Sequence, residues 1–288
     1  YGRHGGTLLA RYPHLVWVHG GDVDARGYQA MGKVEAVYRG VAAVLPGALH
    51  TAHCSRNYSA LDCYDRPWLT VNTTYSDCAQ TLAKVTLDRK RAVDIPSIYI
   101  EGRYEEEDST PVLCVRSQLW WSVLGGSAGH VFGNRRIWRF EPDWRDALDT
   151  PGTRAMTVAG KLVGRVQAAN VALVPEPLAD SPLRVNLWST AWARAWEASY
   201  PRRLAWTTVV DRPAEIAVAS SERTRVAYLP HRTSFSYANK SDVLCWIDPR
   251  TGDIRPVGGG TGAIRSPDAG DWPFVAEKTA RICAGASL

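Results

Sequence analysis

A chain of 288 residues is long enough for two hydrophobic cores, and a composition of 45% hydrophobic and 22% charged residues is that of an ordinary folded protein. A net charge of +5, spread over 34 basic and 29 acidic residues, excludes the clustered basic face of a nucleic-acid binder, and no apolar run approaches the roughly 20 residues that span a bilayer. Twelve Trp and twelve Tyr against four Phe favour rings that are apolar and hydrogen-bonding at once, as carbohydrate sites require, and six cysteines fit the disulfides of a secreted or cell-surface protein.

In chain order, Leu15–Gly21 is a short apolar run closed by glycines and predicts a parallel strand buried on both faces. Tyr28–Val44 has helical spacing and stops at Pro46-Gly47. Strand candidates Ala48–Cys54 and Trp68–Thr74 follow, then an amphipathic stretch Asp77–Leu87 whose basic continuation Arg89-Lys90-Arg91 reads as a solvated helix end. Pro96–Glu101 predicts a strand, Val112–Leu124 a helix and Gly129–Phe132 a strand. Trp144–Val163 is helical with Pro151-Gly152 interrupting it. About five βα units can be counted, against the eight of a closed barrel, and they argue for a parallel sheet or barrel. Beyond Ala168 the segments become short and β-rich. Val226–Leu229, Val243–Ile247 and Phe274–Ala276 suit an antiparallel sandwich, with Asp248–Asp253 a turn between two strands. Gly258–Gly262 lacks the strand-before, helix-after context of a phosphate loop and reads as a flexible connection.

Acidic residues at the C-terminal ends of parallel strands are the first candidates for chemistry. Asp22 closes Trp17-Val18-His19-Gly20-Gly21-Asp22, where the glycines permit a sharp turn, and Glu101 ends its own strand beside Arg103 and Tyr104. Two carboxylates on one rim are what glycoside hydrolysis requires. On spacing alone Asp22 could equally cap a helix, and Glu101 could be a surface strand end. Gly125-Gly126-Ser127-Ala128-Gly129 matches a nucleophile-elbow pattern, but with a helix before and a strand after, the reverse of the order that motif needs. His50, His53, Cys54 and Cys63 lack the Cys-x-x-Cys spacing of structural zinc, so neither a metal nor another cofactor is expected. Fifteen cysteine pairings are possible, among which Cys245 with Cys283 is the expected one.

Several segments resemble the apiosidase-like glycoside hydrolases, relatives of glycoside hydrolase family 140 whose C-terminal β-sandwich carries a collagen-binding label. The likeness lies in Arg11–Asp22, His53, Trp68-Leu69-Thr70-Val71-Asn72, Glu101-Gly102-Arg103-Tyr104-Glu105 and Arg116–Trp138. Trp246–Gly252 and Asp271-Trp272 add to it, while Gly102 replaces a Pro and Phe132 a Tyr of the family pattern. The resemblance implies the C-terminal portion of a TIM (β/α)8 barrel over residues 1–168, about its last five βα units, and an antiparallel β-sandwich over 169–288. It further implies an exo-acting glycosidase removing a terminal pentofuranosyl or similar sugar from a complex polysaccharide. Asp22 would serve as acid/base and Glu101 as nucleophile, with Trp17, His19, His53, Asn72, Tyr104, His130 and Trp138 contacting the carbohydrate. About three βα units expected ahead of Tyr1 would come from a separate chain or fragment, the chain being a processed or incomplete product. The reading from a different class is a non-catalytic surface or appendage protein that uses the same fold as a structural or carbohydrate-binding module.

Overall fold

The computed structural model describes residues 1–23, 29–64, 67–168, 173–177, 180–185, 216–258 and 263–288. Helices and parallel strands alternate first: α1 (Gly2–Leu9), β1 (Val16–Gly20), α2 (Met31–Ala42), β2 (Leu49–His53), α3 (Ala60–Cys63), β3 (Asn72–Tyr75), α4 (Thr81–Arg91), β4 (Ser97–Glu101), α5 (Val112–Leu124) and β5 (Gly129–His130). Then come α6 (Arg135–Trp138), α7 (Pro151–Ala168), β6 (Val174–Pro175), β7 (Leu183–Val185), β8 (Ala217–Ser220) and β9 (Thr224–Leu229). The chain closes with β10 (Ser234–Tyr237), β11 (Val243–Ile247), β12 (Ile254–Pro256), β13 (Ile264–Arg265) and β14 (Trp272–Glu277). Tyr28, the expected start of the second helix, and Gly259–Gly262 of the glycine run lie outside the described residues.

Two boundaries differ from the expected ones, each for a local reason. Trp68 and Leu69 precede β3 rather than opening it, because Thr70 and Val71 spend their N–H groups on the His50 carbonyl of β2. As expected, the basic run Arg89-Lys90-Arg91 forms the last turn of α4, where cations face the negative end of the helix dipole. Pro151 begins α7 instead of breaking a helix, since the first turn has N–H groups with no intrahelical acceptor and proline lacks one anyway. That helix start is seated on Glu105, which is buried and accepts from the Thr150 hydroxyl (2.5 Å), the Gly152 N–H (2.8 Å) and the Asn134 amide (3.2 Å).

The chain divides into two compact units, residues 1–102 with 127–131 and residues 103–126 with 132–288. In the first, β1 pairs with β2 and β3–β4–β5 form a second ladder, all parallel, with the His50 bonds joining β2 to the β3 approach. An apolar cluster of Ala52, Cys54, Ala60, Cys63, Tyr64, Trp68 and Leu69 packs against α2 residues Met31, Val34 and Tyr38. Cys54 and Cys63 are joined as a disulfide, so they are not thiolates available to a metal.

In the second unit the strands run antiparallel in two sheets, ordered β12–β11–β14–β9–β8–β6 and β13–β10–β7. Both sheets send residues into one core of Leu183, Val218, Leu229, Phe235, Trp246, Trp272 and Phe274 with smaller neighbours. The expected Cys245–Cys283 disulfide is present, beside β14. Helix α5 is buried on almost every side, as an all-round apolar helix must be, and its side chains Arg116, Ser117 and Gln118 are all bonded. Gln118 bonds both the N–H and the carbonyl of Arg103, and Ser117 meets the Tyr228 hydroxyl at 3.0 Å. Arg116 clamps Asp271 with two bonds of 2.9 and 2.6 Å. Gly125 caps α5 and Gly126 sits at φ 99° before β5, so the glycines around Ser127 make a helix-to-strand turn and no nucleophile elbow. Among the described residues no helix is long and apolar enough to cross a membrane, and no group of His, Cys, Asp or Glu is arranged to hold a metal ion.

Candidate active site

The C-terminal ends of β1 through β4 bring Asp22, His53, Tyr75 and Glu101 into one neighbourhood of the first unit. Parallel pairing sets Gly20 of β1 opposite His53 of β2. Gly20 has φ +83°, and a Cβ there would lie within 2.9 Å of both the His53 carbonyl and the Tyr64 hydroxyl, so only glycine lets the chain turn toward Asp22. Gly21 has nothing within 4 Å and carries no such constraint.

Glu101 reaches this face through an irregularity. Along β3 and β4 the partners run Asn72↔Ser97, Thr73↔Ile98 and Thr74↔Tyr99, and then Tyr75↔Glu101, so Ile100 is an extra residue with no partner. Strict alternation would put Glu101 on the face of Tyr99. The bulge returns it to the face of Tyr75 and His53, the re-aiming that bulges perform beside functional sites. His53 Nε2 then lies 2.6 Å from Glu101 Oε2, with its Nδ1 2.9 Å from the Cys54 carbonyl. Tyr75 faces the His53 ring at a centroid distance of 5.6 Å and receives a bond from Arg56 Nε at 3.4 Å. Arg56 also pairs with Asp77 at 3.8 Å, and it favours the ionised form of the Asp22 carboxyl.

These neighbours set the charges. Burial and the charge of Glu101 push the Asp22 carboxyl above its ordinary value, against the smaller opposing pull of His53 and Arg56. Burial alone would lower His53. Its bond to Glu101, the Glu101 charge, the Cys54 carbonyl and Asp22 outweigh burial and raise it. Tyr75 is pushed up to about 12, mainly by burial, and stays a neutral phenol. The arrangement therefore offers a carboxyl biased to hold a proton beside a carboxylate bonded to a histidine, which is the pairing acid-assisted displacement needs.

Other residues expected to bind carbohydrate lie elsewhere. Trp17 and His19 alternate to the opposite face of β1 from His53's partner Gly20. There Trp17 lies against Gly5 of α1, and His19 Nε2 meets His50 Nδ1 at 3.0 Å beneath Tyr38 and Trp68. Asn72 is fully buried, donating to Ser97 Oγ (3.2 Å) and accepting from the Leu61 N–H (3.3 Å). His130 stacks on Tyr99 at 5.1 Å, and Tyr99 extends its hydroxyl to the Ser76 carbonyl. Tyr104 and Trp138 belong to the second unit, where their rings meet edge to face at 6.2 Å and Gly133 leaves room for the Tyr104 ring that a Cβ would occupy. Tyr75 and Arg56 went unnoticed in the sequence. Tyr75 was findable by the same strand-end rule as Asp22, had the strand been read one residue further.

A family model described as apiosidase-like, catalytic domain, matches residues 1–170. One solved structure, titled glycoside hydrolase, superposes with a TM-score of 0.71 at 16% identity, over 98% of this chain and 68% of its own. A glycoside hydrolase family 5 protein from Bacteroides vulgatus ATCC 8482 superposes equally well, with a TM-score of 0.71 at 16% identity, over 99% of this chain and 68% of its own. At that identity the likeness is one of fold. No curated protein matches the chain.

Proposed function

This chain belongs to the apiosidase-like family of glycoside hydrolases, and on that premise we propose an exo-acting glycosidase that releases a terminal pentofuranosyl or similar sugar from a complex polysaccharide. Asp22 protonates the leaving oxygen and Glu101 attacks the anomeric carbon. The observation that carries this reading is the shared neighbourhood of Asp22 and Glu101 at parallel strand ends, with Asp22 biased toward its protonated form by burial and by the Glu101 charge.

In this reading residues 1–168 are βα units of a TIM barrel and 169–288 a β-sandwich; the family match ending at residue 170 supports that boundary. The sugar is met by Tyr75 and Arg56, which lie beside His53 at the strand ends of the first unit. Trp17, His19, Asn72 and His130 instead hold the fold. Disulfides at Cys54–Cys63 and Cys245–Cys283 support a secreted or cell-surface location, because thiols are kept reduced in the cytosol.

The test is turnover of aryl pentofuranosides by the whole chain. Glu101→Gln is expected to lose about a thousandfold or more in kcat on every substrate. Asp22→Asn is expected to lose most on poor leaving groups and little on dinitrophenyl, which departs without a proton. Undiminished turnover by Glu101→Gln overturns the assignment.

A further inference from the structure

The hydrogen bonds around His53 leave little freedom about its protons. Nδ1 faces the Cys54 carbonyl, which can only accept, so Nδ1 carries a hydrogen. Nε2 faces Glu101 Oε2 at 2.6 Å, a distance that requires a proton between them. Either the imidazole carries both hydrogens and Glu101 is ionised, or Glu101 is protonated and cannot attack. Resting on the assignment of Glu101 as nucleophile, we propose that His53 is a positioning residue, doubly protonated and aimed by the Cys54 carbonyl, that holds Oε2 of Glu101 and leaves Oε1 as the attacking oxygen.

The mounting of His53 supports this. Cys54 opens a loop that the disulfide to Cys63 closes. The far end of the loop is fixed by the Ser59–Asp62 capping box and by Lys84, whose Nζ lies 2.7 Å from Asp62. Its middle is tied to β3, with the Tyr75 N–H bonding the Tyr58 carbonyl at 3.1 Å. One loop thus sets the Cys54 carbonyl that orients His53 and carries Arg56, whose charge acts on Asp22. The titratable and charged groups facing His53 are Glu101 from β4, Asp22 from the turn after β1, Arg56 from the loop and Tyr75 from β3. Glu101, bonded directly to Nε2, is the charge that keeps the imidazolium protonated.

In the first step the Oε1–anomeric carbon bond forms as the glycosidic carbon–oxygen bond breaks, and the leaving oxygen takes the proton of Asp22. Oε2 becomes the carbonyl oxygen of the ester and keeps the N–H of His53. In the second step water bonds the anomeric carbon and gives a proton to Asp22, and Glu101 departs with the bonding pair as a carboxylate, again facing the imidazolium.

Nitrogen NMR of the intact protein at neutral pH reads the proton directly: both His53 ring nitrogens are expected in the protonated range, and a neutral tautomer overturns the proposal. In kinetics, His53→Gln keeps a donor but removes the cation, so kcat is expected to drop about tenfold and both limbs of the pH profile to move up by about one unit, carboxyls near a lost cation holding their protons longer. A profile that stays in place overturns it. Should that variant not fold, the Cys54→Ser/Cys63→Ser double variant is expected to lower kcat about tenfold with KM within about twofold, and an unchanged kcat counts against the mounting. Glu101→Ala separates the two claims, since its full activity removes the nucleophile assignment, whereas its inactivity together with a neutral His53 in the native chain removes only the role of His53.

Discussion

The two faces of the parallel strands in the first unit carry nearly the same residue types and put them to opposite use. On one face His19, His50, Asn72, Tyr99 and His130 are turned under helices and loops and bonded to one another or to the backbone. Burial lowers His19 to about 4, with His50 adding a smaller push, and lowers His130 to about 3, so these rings are neutral. On the other face His53 is raised, because Glu101 and Asp22 lie opposite it. A histidine on a strand of such a fold is thus not informative by type. What separates a structural one from a functional one is whether its partners complete its bonding or leave an oxygen free to react.

The sharpest way to break that division is Asn72→Ala. Asn72 is at 0% exposure and bridges the Leu61 N–H and Ser97 Oγ, so its loss leaves two buried groups unpaired and a small void. A loss of about 3 kcal/mol in unfolding free energy is expected, from unsatisfied donors and cavity together. Under native conditions kcat should be unchanged within about twofold, as expected of a residue that does not touch the sugar. Denaturant melts beside initial rates check both, and a collapse of kcat in a folded variant would put Asn72 back in the site.

A smaller effect is expected on the reactive face. Tyr75→Phe keeps the ring against His53 and removes the hydroxyl that Arg56 bonds. A drop of about tenfold in kcat/KM corresponds to about 1.4 kcal/mol, with little change in stability. If stability falls by more than activity, Tyr75 belongs with the structural set.

Much of this was legible in the sequence, and the failures share one cause. Helix α5, strand β11 and the Asp248–Asp253 turn follow from periodicity and turn residues, which act locally. Asp22 and Glu101 were proposed from a rule about strand ends that is blind to faces. Faces depend on register, and a one-residue slip reverses every side chain. The extra residue Ile100 is such a slip, and nothing in Ser-Ile-Tyr-Ile-Glu announces it. The resemblance that named Trp17 and His19 for the sugar is equally blind to the face of β1 they occupy, which is the one turned toward α1, His50 and Trp68. Pro151 was misread for a related reason: a proline that starts a helix and one that breaks it look alike until the Glu105 carboxylate beneath the N-terminus is seen.

The smallest predicted effect separates the faces by the sign of their pH dependence. His19 and His50 fold with values lowered by burial, so their neutral state contributes stability that is fully present above the unfolded value near 6.5 and is lost as pH falls through that value toward about 4 for His19. His53 folds with a raised value, so its contribution is complete below 6.5 and is lost as pH rises through its folded value. Acidification from pH 7 to pH 5.5 is therefore expected to cost the native protein about 1 kcal/mol through the buried pair, from the linkage of proton uptake to unfolding. In a His19→Phe/His50→Leu double variant that part of the acid loss should disappear, while His53→Gln should retain it and lose stability relative to the native chain chiefly below pH 6.5. Among the described residues His50 Nε2 has no hydrogen-bond partner and the pair bonds chiefly to itself, so replacing both by apolar side chains removes the mutual bond without orphaning either partner and keeps the double variant folded for the measurement. Equal acid sensitivity in the native and double-variant chains would show that the pair is solvated enough to take a proton while folded, and the contrast between the two faces would then rest on Glu101 alone.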